Sequence, residues 1–245
     1  MAVDKRLLQA LDAAEATQPR PFQSADRKDK KNYAERLSRA IAEQVASSLR
    51  PRFRGIIPTE DGSGHESMAR SSRGPKKLDV NYSTPELGLG LGVSIKTINY
   101  RDPGKSGRYT KNYTRVDNEL RAEAMDYHTR QPYAVMVALI FLPQDACDDG
   151  TKTSPSSFGA AVRAFRSRAG RGGPKDDAEL FERIFLGLYE TDPKRGDIWF
   201  FDVAESPPFA ARPKKLMLDW DRVIAEITNV YEIRNDPPFR WSDRP

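Results

Sequence analysis

Two charged side chains interrupt apolar segments in the middle of the chain. Asp79 stands between two apolar residues, and Lys96 lies in the apolar segment 92–98. Strand alternation places Ser94 and Lys96 on the same face of a strand. A lysine against a sheet core is costly unless an anion or water reaches it, and Asp79 on a neighbouring strand could supply that anion. The three side chains offer a carboxylate, an ammonium and a hydroxyl, although an edge strand with one solvated face would also explain Ser94 and Lys96.

The composition of the 245-residue chain excludes several other kinds of site. A single cysteine, Cys147, excludes an internal disulfide framework and a cysteine-rich zinc site. Two histidines, His65 and His128, leave little room for a histidine-rich metal site. The chemistry must therefore rest mainly on Asp, Glu, Lys and hydroxyl groups, in a mildly basic protein with a formal net charge of +5.

The hydropathy pattern argues against a membrane protein. The longest apolar run, residues 134–142, is far shorter than the about 20 residues that a membrane-spanning helix needs. Residues 1–36 are dense in Asp, Lys and Arg, which argues against a secretory signal segment. We therefore expect a cytoplasmic protein with no membrane partner.

Periodicity predicts the elements that would position these side chains. Helices are predicted at residues 3–16, 31–49, 116–130, 156–169, 176–189 and 218–233, and strands at 77–83, 91–100, 133–142 and 197–203. The run 133–142 is apolar throughout and bounded by prolines, which is typical of a strand buried on both faces. A helix between strands, followed by a buried strand, indicates a βαβ-type crossover. The predicted fold class is therefore α/β, with a mixed central sheet flanked by helices.

The domain organisation predicted from the sequence is simple. Residues 1–30 are predicted to form a short helix and an exposed, charged linker. Residues 31–245 are predicted to form one main domain, because no internal repeat and no clear linker divides the chain after residue 50.

The order of these residues resembles the PD-(D/E)XK nuclease superfamily, the restriction-endonuclease-like enzymes. The family pattern is an acid on one strand, an acid-x-lysine on the next strand, then a helix and a further buried strand. Asp79 matches the first acid and Lys96 the lysine, while the predicted helix 116–130 and strand 133–142 follow in the family's order. The resemblance covers residues 79–142, about a quarter of the chain.

This chain departs from the family pattern at two positions. Leu78 stands where the motif has proline, and Ser94 replaces the second acid. A branch of restriction enzymes similarly has Ser-x-Lys, with the missing carboxylate moved to the following helix. Here that helix offers Glu119 and Glu123, which are four residues apart and share a helix face. We expect Glu119 to be the better candidate.

Two further acids remain as alternatives. Asp117 also lies on the predicted helix, but its place near the helix start favours a capping role. Glu66 precedes the first of these strands and could be the upstream acid that many family members carry, or simply an exposed loop charge.

The resemblance implies hydrolysis of DNA phosphodiester bonds by a Mg²⁺-dependent endonuclease, in restriction or phage defence, with Mn²⁺ able to replace Mg²⁺. Asp79 with Glu119 or Glu123 would supply hard oxygen ligands for the metal. Lys96 would contact the scissile phosphate and help to orient or deprotonate the attacking water. Ser94 would hydrogen-bond a metal-bound water.

A basic segment at residues 101–115 is the predicted DNA contact. It holds five basic residues and one acidic residue, and it joins the strand of Lys96 to the helix of Glu119. The phosphate contacts would come from Lys105, Arg108, Lys111 and Arg115. Tyr109 or Tyr113 could pack on sugars or bases, and the basic run 163–175 could add a second contact. The expected substrate is double-stranded DNA, with a homodimer or a defence-complex subunit as the partner.

Three alternatives to a restriction enzyme follow from the same residues. The protein could be a nuclease subunit of a larger defence or repair complex that cuts DNA with little sequence preference. It could also be a catalytically silent nuclease-like module that binds nucleic acid or another protein, although a silent copy would have no reason to keep Lys96. A nucleotide-binding α/β enzyme fits poorly, because Gly88-x-Gly90-x-Gly92 leads into a strand rather than a helix.

Overall fold

The computed structural model describes residues 3–65, 67–72, 74–85, 88–102, 107–190, 195–209 and 213–235. The helices in these ranges are α1 (Lys5–Glu15), α2 (Arg27–Leu49), α3 (Tyr113–Arg130), α4 (Ser157–Arg166) and α5 (Trp220–Arg234). The strands are β1 (Ser67–Ser71), β2 (Gly74–Leu78), β3 (Val80–Thr84), β4 (Gly88–Thr97), β5 (Val135–Pro143), β6 (Arg183–Tyr189) and β7 (Ile198–Asp202). Short 3₁₀ turns occupy Thr110–Asn112, Gln144–Cys147 and Lys214–Leu216.

A five-stranded mixed sheet in the order β3-β4-β5-β6-β7 forms the centre of the fold. The outer pairs, β3 with β4 and β6 with β7, are antiparallel, whereas β4, β5 and β6 run parallel. Parallel neighbours need a crossover connection, and α3 and α4 provide one each. β1 and β2 form a separate antiparallel hairpin before β3. The predicted α/β class with a mixed sheet and flanking helices is confirmed.

Each face of the sheet is covered by its own group of helices. Alternate residues of β5, from Val135 to Phe141, join one apolar cluster with α1, α2 and α5. The residues between them, from Met136 to Leu142, join a second cluster with α3 and α4. All nine residues of β5 are buried, which confirms the prediction of a strand buried on both faces.

The helix predicted at residues 176–189 is wrong. Residues 183–189 form β6, which lies between β5 and β7. Ile184, Phe185, Leu186 and Leu188 are all buried, because the two apolar clusters require side chains on both faces of this strand. A short, nearly continuous apolar run is compatible with either a buried helix or a buried strand, and the strand pairing decides between them.

The other predicted elements are present with shifted ends. The strand predicted at 77–83 is divided, because β2 ends at Leu78, Asp79 lies in a bend, and β3 begins at Val80. The basic segment 101–115 is shorter than expected as a loop, since a 3₁₀ turn starts at Thr110 and α3 starts at Tyr113. α2 begins at Arg27, four residues before its predicted start.

The first helix is integrated into the core. Leu7 and Leu11 of α1 are buried in the same apolar cluster as α2, and the Asp4 backbone N–H donates to the Gly196 carbonyl oxygen at 3.1 Å. After α1, Arg20 donates to the Asn99 carbonyl oxygen at 2.9 Å. The division into residues 1–30 and 31–245 stays a prediction. Within the described ranges, no helix combines the length and the apolar character that a membrane span requires.

Candidate active site

The side chains of Ser94 and Lys96 meet a carboxylate from α3. Both residues project from β4 towards the face that α3 covers, because Ile95 between them belongs to the opposite apolar cluster. Lys96 Nζ donates to Glu123 Oε1 at 2.6 Å, and Ser94 Oγ donates to Glu123 Oε2 at 2.6 Å. Ser94 is only 1% exposed, so a solvated strand face does not explain these polar residues.

α3 carries Glu123 to this position because its apolar stripe packs on the sheet. Val116, Leu120, Ala124 and Tyr127 recur at helical spacing and are all buried. Glu123 precedes Ala124 at the border of this stripe, so its side chain is held against β4 rather than in bulk solvent. The Glu123 side chain is 22% exposed and that of Lys96 is 17% exposed.

Asp79 lies beside the part of β4 that is not paired with β3. Pairing between β3 and β4 ends with Val80 opposite Val93, which leaves the following part of β4 open on that side. The Ile95 backbone N–H donates to Asp79 Oδ2 at 2.7 Å. The carboxylate of Asp79 is therefore held beside the backbone that connects Ser94 to Lys96.

The surrounding carboxylates keep Lys96 protonated. Burial by itself would lower the pKa of Lys96, but Glu123 first, and then Asp79 and Glu119, more than offset this and raise the pKa above its ordinary value. At neutral pH Lys96 is therefore an ammonium group. It can donate hydrogen bonds and stabilise negative charge.

A cleft of about 670 Å³ opens around the free edge of β4. One wall is α2, the other is the start of α3, and the floor is the end of β4 with Asp79. The lining side chains include Lys31, Ser38, Arg39, His65, Arg115 and Glu119. Glu119, the carboxylate preferred from the sequence, lies on the α3 wall and accepts a hydrogen bond from Arg115 Nη1 at 2.5 Å. The structure thus brings Glu123, not Glu119, into contact with Ser94 and Lys96.

The donor set at this position suits a magnesium ion that is held by few protein ligands. Asp79 and Glu123 offer hard carboxylate oxygens beside an ammonium group, and Mg²⁺ typically binds through one or two carboxylates while it keeps several waters. Within the described ranges, no three His, Cys, Asp or Glu side chains are grouped closely enough to hold a metal ion by themselves. A metal here would be held by Asp79 and Glu123, with the remaining positions open to water and substrate.

The alternative acids have other places or lie outside the described residues. Asp117 is not a helix cap, because α3 begins at Tyr113; instead its two carboxylate oxygens accept from Arg168 at 2.8 and 3.1 Å. Glu66 lies outside the described residues, as does Lys105 of the predicted DNA contact.

Both arginines of the predicted DNA contact form hydrogen bonds within the protein. Arg108 donates to the Pro155 carbonyl oxygen, and Arg115 binds Glu119. Lys111 is exposed. In the second basic run, Arg168 binds Asp117 and Glu179, and Arg171 is buried against Glu182.

The expectation that Tyr109 or Tyr113 would pack on sugars or bases is wrong. Both side chains are buried, and their hydroxyl groups donate inwards, to Asp145 at 2.8 Å and to the Ser157 carbonyl oxygen at 2.9 Å. These hydrogen bonds attach the start of α3 to the segment before α4. The tyrosines therefore fix the position of α3 rather than point into the cleft.

Two features of the cleft were missed by sequence reasoning. His65 Nε2 lies 2.7 Å from Glu43 Oε1, and this pair joins α2 to the loop before β1. α2 also presents a second stripe, with Lys31, Ser38 and Arg39 facing the cleft beside its apolar face. Small and polar residues recur four apart in this stripe, as in Ala34, Ser38 and Ala42. This recurrence was a signal for the stripe, but only the packing of α2 on β4 shows what it faces.

No protein-family model, curated protein or solved structure matches this chain.

Proposed function

We propose that this protein is a Mg²⁺-dependent endonuclease that hydrolyses DNA phosphodiester bonds, with a restriction-endonuclease-like core and a role in restriction or phage defence. The contact of Ser94 and Lys96 with Glu123 carries the proposal, together with the open cleft that Lys96 and Asp79 line. The order of β3, β4, α3 and β5 and the position of a carboxylate on α3 support it, because both agree with the Ser-x-Lys variant of the PD-(D/E)XK pattern.

Lys96 would stabilise negative charge on the substrate. Its raised pKa keeps it cationic, and its position at the end of β4 places the ammonium group at the cleft floor. As charge develops on the phosphate oxygens, Lys96 Nζ can donate to them without losing its proton. Lys96 can therefore stabilise charge on the phosphate and help to orient the attacking water.

The carboxylates have the complementary role. Glu123 and Asp79 are the acceptors near Lys96, so a proton released by the attacking water can pass to one of their oxygens. A bound Mg²⁺ would supply Lewis-acid stabilisation of the phosphate charge, and Mn²⁺ could replace it with the same oxygen ligands. Ser94 Oγ, which donates to Glu123, would keep that carboxylate in its orientation.

One observation favours a second candidate, a catalytically silent nuclease-like module that binds nucleic acid or a partner protein. Both oxygens of Glu123 already accept hydrogen bonds from Ser94 and Lys96, so the cluster is satisfied within the protein. An internally neutralised cluster of this kind can serve stability alone. Hydrolytic activity distinguishes the two candidates.

The test is incubation of the purified protein with supercoiled plasmid and Mg²⁺, with a parallel reaction in EDTA. We expect metal-dependent nicking or linearisation, and we expect Asp79→Asn and Lys96→Ala to lower the cleavage rate about a hundredfold or more. Both substitutions remove groups proposed to act on the transition state, so DNA affinity should change much less.

Asp177→Asn and Lys215→Ala are the matched controls, because both residues are exposed, Asp177 in the loop that precedes β6 and Lys215 in the 3₁₀ turn before α5. Both variants should cleave like the wild type. Cleavage by Asp79→Asn or Lys96→Ala at the wild-type rate would contradict the site assignment. DNA binding without cleavage in Mg²⁺ or Mn²⁺ would favour the silent module.

A further inference from the structure

The α2 wall of the cleft has no role in the proposed chemistry, yet it faces the same space as Lys96. α2 lies on one face of the sheet and α3 on the other, and both helices line the cleft at the open edge of β4 beyond Val93. A substrate that reaches Lys96 must therefore pass between Arg115 on α3 and the exposed stripe of α2. The side chains of that stripe are close enough to contact it.

Arg39 differs from the other cations that line the cleft. Among the described side chains that line the cleft, four are Lys or Arg: Lys31, Arg39, Lys96 and Arg115. Lys31 pairs with Glu35 at 3.4 Å, Lys96 with Glu123 at 2.6 Å and Arg115 with Glu119 at 2.5 Å. Arg39 makes no hydrogen bond or ion pair with any residue in the described ranges, and it is exposed. Its guanidinium group is thus available to an anion from outside.

The position of Arg39 is tied to the floor of the cleft. Ser38, the preceding residue, has its Oγ 3.5 Å from Thr97 Oγ1, and Thr97 follows Lys96 on β4. The other face of α2 is fixed by Leu37 and Ile41, which are fully buried. Helix and strand therefore hold the backbone of Arg39 in a constant place relative to Lys96.

The cleft needs such a cation if its ligand is a polyanion. Three carboxylates, Glu35, Asp79 and Glu119, line the cleft among the described residues, and they repel a phosphate backbone unless cations at the rim compensate. A guanidinium group can bind a phosphate through two parallel hydrogen bonds, which fixes position as well as charge.

We infer that Arg39 is the phosphate-binding residue of α2 and that the substrate strand lies between α2 and α3, with the basic segment 101–115 in a lesser role. This inference rests on the proposed function, since it takes the ligand to be a DNA phosphate backbone. Lys31 lies eight residues before Arg39, about 12 Å along the helix axis, and would contact the same strand further on.

The test measures binding without cleavage. Fluorescence anisotropy in EDTA, with a labelled single-stranded oligonucleotide and its duplex, gives the affinity of the wild type, Arg39→Ala and Arg39→Lys over a range of salt concentrations. Arg222→Ala is the matched control, because Arg222 is an exposed helical arginine on α5, outside the cleft.

We expect Arg39→Ala to weaken binding about tenfold. The slope of log affinity against log salt should fall by about 0.9 on the duplex or about 0.7 on the single strand, the amount for one phosphate contact. Arg39→Lys should keep the salt slope while it loses affinity, and Arg222→Ala should behave like the wild type. A purely structural role for Arg39 would instead lower the melting temperature and leave the salt slope unchanged.

The outcomes separate the inference from the proposed function. Wild-type affinity and salt slope in Arg39→Ala would overturn the inference, while metal-dependent cleavage of plasmid would still support the nuclease. Arg39-dependent binding without any cleavage would support the inference and contradict the nuclease. No salt-sensitive binding by the wild type to either oligonucleotide would overturn the inference together with the DNA substrate.

Discussion

Among the individual residues, the Glu123 carboxylate lies at the centre of the candidate site. It joins a hydroxyl and an ammonium group from one strand, and each contact is 2.6 Å long. Glu119, one helical turn earlier, forms an ion pair with Arg115 on the cleft wall instead. Four residues separate the two acids, yet only one faces β4 closely enough to hold Lys96. We therefore assign the second carboxylate of the proposed site to Glu123 rather than to Glu119.

Exchange of each acid for its amide distinguishes the two. Glu123→Gln should lower the DNA cleavage rate about a hundredfold or more, because it removes a proposed metal ligand and the principal counter-charge of Lys96. Glu119→Gln is the matched control and should change the rate less than about threefold, since it breaks an exposed ion pair of about 0.3–0.5 kcal/mol and removes a smaller electrostatic influence on Lys96 than Glu123 does. Initial rates at saturating Mg²⁺ measure both, and the opposite ranking would return the assignment to Glu119.

A carboxylate on the strand should partly replace the one on the helix. Ser94 lies 2.6 Å from Glu123, so Ser94→Glu in the Glu123→Gln background places a new acid next to the lost one. We expect partial recovery of cleavage with a changed Mg²⁺ requirement, because both positions serve one ion. A Mg²⁺ titration of the double variant checks this, and recovery without any change in metal dependence would contradict shared ligation.

At the scale of elements, two helices hold the cleft and a third supports them. α2 carries Arg39 on one face and packs its apolar face on the sheet, while α1 packs against α2. Leu11 of α1 is 1% exposed within this cluster. The geometry of the α2 wall therefore depends on the N-terminal helix as well as on the sheet.

Truncation of one core side chain tests this dependence. Leu11→Ala should lower the free energy of unfolding by about 2–5 kcal/mol, because it leaves a cavity between α1 and α2. Gln9→Ala on the exposed side of α1 should change it by less than about 0.5 kcal/mol. Urea unfolding measures both variants. A value for Leu11→Ala as small as that of the control would indicate that α1 folds separately from the main domain.

Across the whole molecule, a buried ionic network lies at the end of the central strands opposite the cleft. Glu182 precedes β6 and accepts from the Met136 backbone N–H at the start of β5 at 2.7 Å. Arg171 and Arg234 bind its other oxygen, and His128 Nε2 lies 3.5 Å away. β4, β5 and β6 are parallel, Lys96 is near the end of β4, and Glu182 precedes β6. This network and the candidate site therefore lie at opposite ends of the parallel strands. It joins α3, α5 and the loop before β6.

Loss of the Glu182 charge should destabilise the fold in a pH-dependent way. Burial alone would raise the pKa of Glu182, but His128, the Met136 N–H and Arg234 outweigh it and lower the pKa below its ordinary value of 4.5. A carboxyl with a lowered pKa stabilises the fold above about pH 4.5, and this contribution is lost as the pH falls through the folded-state pKa. Glu182→Ala should therefore lower the free energy of unfolding at pH 7 by about 3–5 kcal/mol.

Denaturant unfolding between pH 7 and pH 3 measures this effect. The wild type should lose stability steeply below about pH 4.5, and Glu182→Gln should lose less over the same interval, because it has no proton to bind. Asp177→Asn serves as the control on the adjoining exposed loop. Parallel curves for the wild type and Glu182→Gln would contradict the role of the network.

Local patterns in the sequence were sufficient for several features of this protein. The apolar run of β5 and the amphipathic patterns of α1, α2, α3, α4 and α5 predicted those elements, because burial on one or two faces leaves a periodic trace in the chain. The placement of Asp79 and Lys96 beside each other also followed from strand order. Partners far apart in the sequence left no such trace. The composition of β6 is also compatible with a buried helix, and only its pairing with β5 and β7 shows that it is a strand.

Which charged residues meet depends on how the helices pack on the sheet, and the sequence pattern does not show that packing. The rotation of α3 against β4 brings Glu123 rather than Glu119 to Lys96, and a helical pattern cannot distinguish two acids on one face. The arginines of the basic segment 101–115 have partners elsewhere in the chain, such as the Pro155 carbonyl oxygen, whereas Arg39 is left without one in the described ranges. Charge is a property of each residue, but its availability depends on neighbours that only folding supplies.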